Sequence, residues 1–309
     1  MTLTELRYIV AVARTRHFGQ AAQQCFVSQP TLSVAIRKLE DQLNLKIFER
    51  KTGDISLTPI GERIVIQAQR VLEETEQINV IAQQTQDPLA KPLRAGAIYS
   101  IAPYLLPHFI PEVHKRAPDM PLLLEESYTA VLSEQLKLGQ KDVIIISLPF
   151  DEAGIETQAL YDEPFVVALP AEHPWNKNST IDGSQLTEEN LFLLGAGHCF
   201  RDQVLQHFPA LGQVINTNAL QRTLEGSSLE TIRQMVATGA GVSIFPCTAV
   251  MDSCQTLNKL VSYRPLTPPA PSRRIAIAWR KQFPRPEAIE VIRQSILAAT
   301  PDCIHQLNT

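Results

Sequence analysis

The chain has 309 residues, 44% of them hydrophobic, and a mean hydropathy of −0.05, enough to bury a core in two or more domains, which excludes a disordered chain. No run of ~18 apolar residues is present and the N-terminus lacks a charged-then-apolar leader, so no membrane is involved and the expected compartment is the cytoplasm. The net charge of −4 is uneven: residues 1–72 carry 10 Lys+Arg against 6 Asp+Glu, while residues 73–309 carry 18 against 26, and a basic head on an acidic body fits nucleic-acid binding at one end.

Thr2 and Glu5 have capping-box spacing for a first helix, with Leu6, Ile9, Val10 and Ala13 on one face. A second short helix over about residues 19–25 buries Ala21, Ala22 and Cys25. A tight break at Phe26-Val27 follows, and Ser28 caps a third helix that tolerates Pro30 in its first turn. Leu32, Ala35, Ile36, Leu39 and Leu43 fall on one side of this helix. Pro30, Ser33, Val34 and Arg37 fall on the other, flanked by Thr31 and Lys38. Small groups around one long cation suit close approach to base edges. Alone, such a face is more often simply solvated; the short helix and tight break before it make a helix-turn-helix. Residues 47–57 read as two strands around a Thr-Gly-Asp turn, a wing that offers Arg50 and Lys51 to phosphates.

Thr58-Pro59 reads as N-cap and first residue of a long helix that ends at Pro88. Ile64, Ala68, Val71, Thr75, Ile78 and Ala82 alternate spacings of four and three, as a coiled-coil seam does. So long a helix beside so small a head has little of its own to pack against, which favours a homodimer with two reading heads on a two-fold operator. Beyond residue 90, apolar runs at 93–98, 122–124, 143–148, 165–169, 191–194, 242–245 and 275–279 read as buried strands. Helical stretches lie between them, among them 228–238, where Ser227 and Glu230 have capping-box spacing, and 286–299. The pattern is α/β with largely parallel sheets.

With these residues in place the chain resembles the LysR-type transcriptional regulators over its full length. The segment AAQQCFVSQPTLSVAIRKLEDQL carries the resemblance in the head. It implies a multidomain protein: a winged helix-turn-helix head (1–58), a dimerising linker helix (59–87) and a two-subdomain α/β regulatory domain similar to periplasmic binding proteins (88–309). One subdomain would comprise about 88–162 and 266–300, the other about 163–265. Gln29, Pro30, Ser33 and Arg37 match positions that face DNA, Thr31 matches a phosphate contact, and Ser28, Lys38, Arg50 and Lys51 complete the expected interface. Double-stranded DNA is the expected partner, with a homotetramer and contact with RNA polymerase implied by the family.

The body is more similar to the peroxide-sensing OxyR branch. Tyr104-Leu105-Leu106-Pro107, Tyr161-Asp162-Glu163-Pro164, Gly197-His198-Cys199-Phe200-Arg201-Asp202-Gln203 and the run 226–233, GSSLETIR, carry that likeness. It implies that Cys199 is the thiol that meets hydrogen peroxide, that Thr129 helps hold the peroxide, and that Ser100 stands where threonine is usual. The position nine residues after Cys199, where that branch has a second cysteine, is Phe208.

The thiolate is the nucleophile, and N–H groups at a helix start favour an anion. Arg201 would add positive charge, His198 would shuttle a proton, and Asp202 completes the motif. The first product would be a sulfenic acid. Without a cysteine at 208 the signal is a sulfenate, a mixed disulfide with a small thiol, or a bond to another cysteine, for which Cys247 and Cys254 are candidates. The five cysteines, Cys25, Cys199, Cys247, Cys254 and Cys303, are dispersed and free by default in a reducing compartment, with Cys25 structural and Cys303 in a loose tail. Neither metal spacing nor a cofactor motif is present. Two other readings stand beside peroxide sensing. One is a regulator that binds a small-molecule effector in the cleft, with Cys199 as packing. The other is a thiol peroxidase, which leaves the DNA-binding head unexplained.

Overall fold

The computed structural model describes residues 1–51, 54–82, 88–212, 228–251 and 260–307. The head opens with α1 (Leu3–Thr15), held by the expected capping box: Thr2 Oγ1 accepts from the Glu5 N–H at 3.2 Å and the Glu5 carboxylate accepts from the Thr2 N–H at 2.7 Å. Helix α2 (Phe18–Gln24) begins a residue early because His17 caps it, its Nδ1 accepting from the N–H groups of Gly19 and Gln20. Ser28 caps α3 (Gln29–Leu43), whose Leu32, Ile36 and Leu39 are fully buried against Ile9, Val12 and Ala21. The wing forms from β1 (Phe48–Lys51) and β2 (Asp54–Leu57), paired antiparallel; the Thr52-Gly53 turn lies outside the described residues.

Helix α4 (Pro59–Ala82) starts as expected, with Thr58 Oγ1 accepting from the Gly61 N–H at 2.9 Å and donating to the Lys46 carbonyl at 2.7 Å. A Cβ on Gly61 would collide with the Ile47 carbonyl, so glycine is what lets the helix cross the base of the wing. The coiled-coil seam is divided. Ala68 is buried and Ile64 half-buried against the head's own core beside Val65 and Leu72, whereas Val71 and Ile78 are exposed. The expectation that α4 has little of its own to pack against is therefore corrected: α1 supplies that surface. The Ala82 side chain and residues 83–87 lie outside the described residues.

Polar groups then dock this unit on the regulatory domain. Arg14 Nε donates to the Leu138 carbonyl at 2.7 Å and its other nitrogen to Gln69 Oε1 at 2.8 Å, while Glu73 on α4 pairs with Arg280. Burial, and then the guanidiniums of Arg94 and Arg280, push Arg14 down to about 10.

The regulatory domain is α/β in two lobes. Its elements are β3 (Leu93–Ile98), α5 (Ala102–Arg116), β4 (Leu122–Ser127), α6 (Thr129–Lys137), β5 (Val143–Ser147), β6 (Ile155–Pro170), β7 (Leu191–Phe192), α7 (Cys199–His207), α8 (Leu229–Ala237), β8 (Val242–Pro246), α9 (Thr248–Met251), β9 (Val261–Pro265), β10 (Ser272–Arg280), α10 (Pro286–Ala299) and β11 (His305–Gln306). The strands run in the order β4-β3-β5-β10-β6-β8-β7, with β9 and β11 also on β6. The sheets are mixed rather than largely parallel. Strands joined through helices (β4-β3-β5 and β7-β8) are parallel, whereas β6 and β10, which run between the lobes, meet their neighbours antiparallel. Helix α8 is capped by Ser228, one residue beyond the expected Ser227, which lies outside the described residues.

Strand β6 reaches about 50 Å at ~3.3 Å per residue, long enough to serve both lobes. Tyr161 belongs to the core of one lobe and Phe165 to that of the other. The chain's end is not loose: β11 pairs with β6 at Asp162 and Tyr161, Ile304 is buried, and Cys303 forms a disulfide with Cys247 across a separation of 56 residues. That corrects the expectation of free thiols, because strand pairing brings the two ends of this span together. It also removes Cys247, while so bonded, as a resolving partner. Cys254 lies outside the described residues.

Candidate functional site

The recognition face is built as its periodicity requires. Ser28, Gln29, Pro30, Thr31, Arg37 and Lys38 are exposed, Ser33 is half-buried, and Val34 presents an apolar surface between them. The hydroxyls of Ser28 and Thr31 bond to each other at 2.8 Å, which fixes the first turn of α3. Phe26, at φ 57° and 96% exposed, makes the tight break between α2 and α3. Arg50 and Lys51 lie on β1 opposite Ile55 and Asp54 at the wing's outer end; their side chains are outside the described set. Sequence reasoning missed Glu40. Its buried carboxylate accepts from the N–H groups of Ile47 at 2.8 Å and Phe48 at 3.2 Å, so it fixes the wing relative to α3. Its signal was an acid four residues after Ile36, on the buried side of the helix.

The second site lies between the lobes. Cys199 is the first residue of α7, and Gly197 before it takes φ 92°, which turns the chain so that His198 and the thiol face the other lobe. Ile98, Tyr99, Ser100, Ser127, Tyr128, Thr129, Gly197, His198 and Cys199 enclose a cavity of about 10 Å³, room for about one water-sized molecule. Four expected residues, Cys199, His198, Thr129 and Ser100, thus meet, drawn from three separate turns. Two atoms at this cavity, Thr129 Oγ1 and His198 Nε2, are buried with no hydrogen-bond partner in the protein. The His198 ring packs edge-on against Tyr128 at 4.8 Å, and burial pushes its pKa below the ordinary value of 6.5, which favours the neutral ring.

Ser100 is held from behind. Its Oγ accepts from Arg273 at 2.7 Å, its carbonyl accepts from the same guanidinium at 2.9 Å, and Arg273 Nε pairs with Glu163 at 2.6 Å with both side chains fully buried. Because Ser100 Oγ accepts this bond, its own proton remains available to donate. The Arg273 guanidinium also lies 5.0 Å above the Phe200 ring.

Two expected residues do not reach the cavity. Arg201 donates to the Leu194 carbonyl at 3.0 Å, pinning the loop before α7, and Asp202 is exposed on the first turn of the helix. Gln203, part of the same motif but given no role, donates to Ser147 Oγ at 2.7 Å and the Leu148 carbonyl at 3.0 Å, anchoring α7 to the opposite lobe. Tyr104 crosses the cleft as well, donating to Glu230 at 2.8 Å. Phe208 ends α7 and packs on the second lobe's core, its ring filling the space a Cβ on Gly183 would take. Along α7 it stands ~13 Å from Cys199. Among the described residues the unbonded cysteines are Cys199 and Cys25, whose thiol is pushed up by burial.

No helix among the described residues is long and apolar enough to cross a membrane, and no group of three metal-binding side chains occurs among them. Residues 3–62 match the bacterial regulatory helix-turn-helix protein, lysR family, and residues 86–301 match the LysR substrate binding domain. The chain is 36% identical over 299 residues to the DNA-binding transcriptional dual regulator OxyR of Escherichia coli K12, covering 96% of this chain and 95% of that protein. Full-length OxyR C199D from Pseudomonas aeruginosa is 50% identical with a TM-score of 0.87, covering 100% of this chain and 98% of that one. The H2O2-bound OxyR of Corynebacterium glutamicum is 31% identical with a TM-score of 0.61, covering 96% and 92%. With its winged head, its two-lobed body and these relatives, the chain belongs to the LysR family of transcriptional regulators, in the OxyR branch.

Proposed function

We propose that the protein senses hydrogen peroxide at Cys199 and transmits its oxidation to the DNA-reading face of α3, controlling genes of the oxidative-stress response in the cytoplasm. The observation that carries this reading is the pair of buried, unpartnered polar atoms, Thr129 Oγ1 and His198 Nε2, at a cavity shared with the thiol. Buried polar groups are normally hydrogen-bonded, so such a pair marks a place for a small polar molecule. An organic effector needs ~300 Å³ or more, far above the ~10 Å³ present, so the effector reading has no support at this cavity.

In the reaction the Cys199 thiolate attacks the near oxygen of peroxide and the O–O bond breaks. Cys199 becomes a sulfenic acid, and the departing hydroxide takes a proton to leave as water. Thr129, Ser100 and the neutral His198 ring supply the donors that steady the charge moving onto the far oxygen. With Phe208 at the end of α7 and Cys247 bonded to Cys303, a small external thiol would close the cycle by displacing water to form a mixed disulfide. Sulfur bound at Cys199 cannot fit the closed cavity. Helix α7 must shift against the anchors of Gln203 and Tyr104, which changes the relation of the lobes.

Ile60, Val71 and Ile78, exposed along one face of α4 with half-buried Ile64, offer a surface for a homodimer and hence for two reading heads. A homotetramer would pair two such dimers. Intact mass and thiol mapping after substoichiometric peroxide, with footprints on operator DNA, test the reading. One oxygen added at Cys199 together with an altered footprint is expected. An unreactive Cys199 with unchanged footprints overturns it.

A further inference from the structure

We infer that Cys247 and Cys303 form a second redox site, a thiol–disulfide switch that sets the geometry of the Cys199 cavity; the inference rests on the reading of Cys199 as the peroxide thiol. The bond joins the residue after β8 to the C-terminal segment 300–307. That segment is otherwise held lightly: two residue pairs of β11 with β6, the Leu307 N–H to the Leu160 carbonyl at 3.0 Å, and the buried Ile304 side chain. The site therefore couples a detachable strap to the place on β6 where the cores of the two lobes change over.

An unbroken path leads from this bond to the cavity. Thr248, next to Cys247, donates both its N–H and its hydroxyl to one oxygen of Glu163. The other Glu163 oxygen accepts from Arg273 at 2.6 Å, and Arg273 holds both the Oγ and the carbonyl of Ser100. Glu163, Arg273 and Ser100 are 0%, 2% and 3% exposed. A carboxylate so deeply buried needs its donors, so a shift of Thr248 obliges Arg273 and Ser100 to follow. Arg273 also lies over Phe200, the neighbour of Cys199 in α7.

Access gives the reaction its direction. Cys303 is half-buried and Cys247 is 5% exposed, so a cellular dithiol would attack the Cys303 sulfur. The S–S bond breaks, Cys247 leaves as a thiolate and takes a proton. The second thiol of the reductant then closes its own disulfide and releases Cys303 as a thiol. Two electrons pass to the protein pair and the dithiol is oxidised. Peroxide reverses the change, oxidising one cysteine to a sulfenic acid with loss of water, after which the other displaces a second water.

The test uses the full chain equilibrated in buffers of reduced and oxidised dithiothreitol. Differential alkylation and mass spectrometry follow Cys247 and Cys303, and circular dichroism follows the fold. After desalting, each state receives a peroxide pulse in the presence of dimedone, and sulfenic acid is timed at Cys199. The pair should open together as a two-electron couple in folded protein, and the labelling rate at Cys199 should differ at least threefold between the two states. Cys303→Ser, locked open, should show the rate of the reduced protein. A pair that opens only with unfolding, thiols that stay free in every buffer, or equal Cys199 rates in both states would overturn the switch. Equal but measurable rates defeat the switch alone, whereas a Cys199 inert in both states also defeats the peroxide reading.

Discussion

Replacing Thr129 with valine separates function from stability at the peroxide cavity. The hydroxyl oxygen is buried and unpartnered in the protein, and a polar group left so costs about 1–3 kcal/mol. Valine keeps the branched shape and places a methyl where the hydroxyl stood, adding ~0.8 kcal/mol of apolar burial. Thr129 is the first residue of α6 and provides no side-chain cap, so the helix loses nothing. The reduced variant should therefore gain about 1–2 kcal/mol, a rise in Tm of a few degrees at ~2–4 °C per kcal/mol. Its reaction with peroxide loses one donor to a charged oxygen, worth ~1.5–3 kcal/mol, or about 10–100-fold in rate. Thermal melting by circular dichroism and stopped-flow peroxide kinetics give the two numbers. A variant that melts lower than the parent, or that reacts at the parental rate, refutes the assignment of Thr129 as a peroxide-holding group.

Burial lowers the folded-state pKa of His198 below 6.5, so the unfolded chain takes up the proton first as pH falls. The stability this group contributes is full above about pH 6.5 and declines as pH drops from 6.5 through the folded value; melting of the parent against His198→Gln from pH 5 to 8 should diverge only at the acid end. Arg37→Ala should narrow the affinity gap between operator and random DNA by about 1–3 kcal/mol, read by titration at fixed salt; a uniform loss on both DNAs would make Arg37 a backbone contact. Cys303→Ser should lower unfolding stability by up to about 4 kcal/mol under oxidising conditions, the chain-entropy value for a loop of 56 residues, with the difference vanishing in excess reductant. Equal denaturant midpoints in air would show that the bond constrains nothing.

Much of the head is legible in the chain because its signals are local. The Thr2 and Ser28 caps, the Thr58-Pro59 helix start and the apolar face through Leu32, Ile36 and Leu39 depend on residues within about four positions of one another. The buried strands are legible for a similar reason, since continuous apolar runs mark them wherever they pair. Their directions are not, because β6 and β10 pair with strands distant in sequence. The seam on α4 shows the same limit. Its heptad spacing is real, but whether Ala68 meets a second chain or the protein's own α1 depends on where the head docks.

By its sequence alone this protein is a winged DNA reader on an α/β body, with Cys199 singled out by its motif. Ser100 and Thr129 attach to that thiol only through resemblance, since no pattern of spacing joins residues 100, 129 and 199. The tertiary structure decides the rest. It closes those three and His198 on a cavity of about 10 Å³, turns Arg201 away to the Leu194 carbonyl, ties Ser100 to the buried Arg273–Glu163 pair, and joins Cys247 to Cys303. Periodicity and capping act over a turn of helix, whereas a cavity between lobes is defined by groups that only the packed chain brings together.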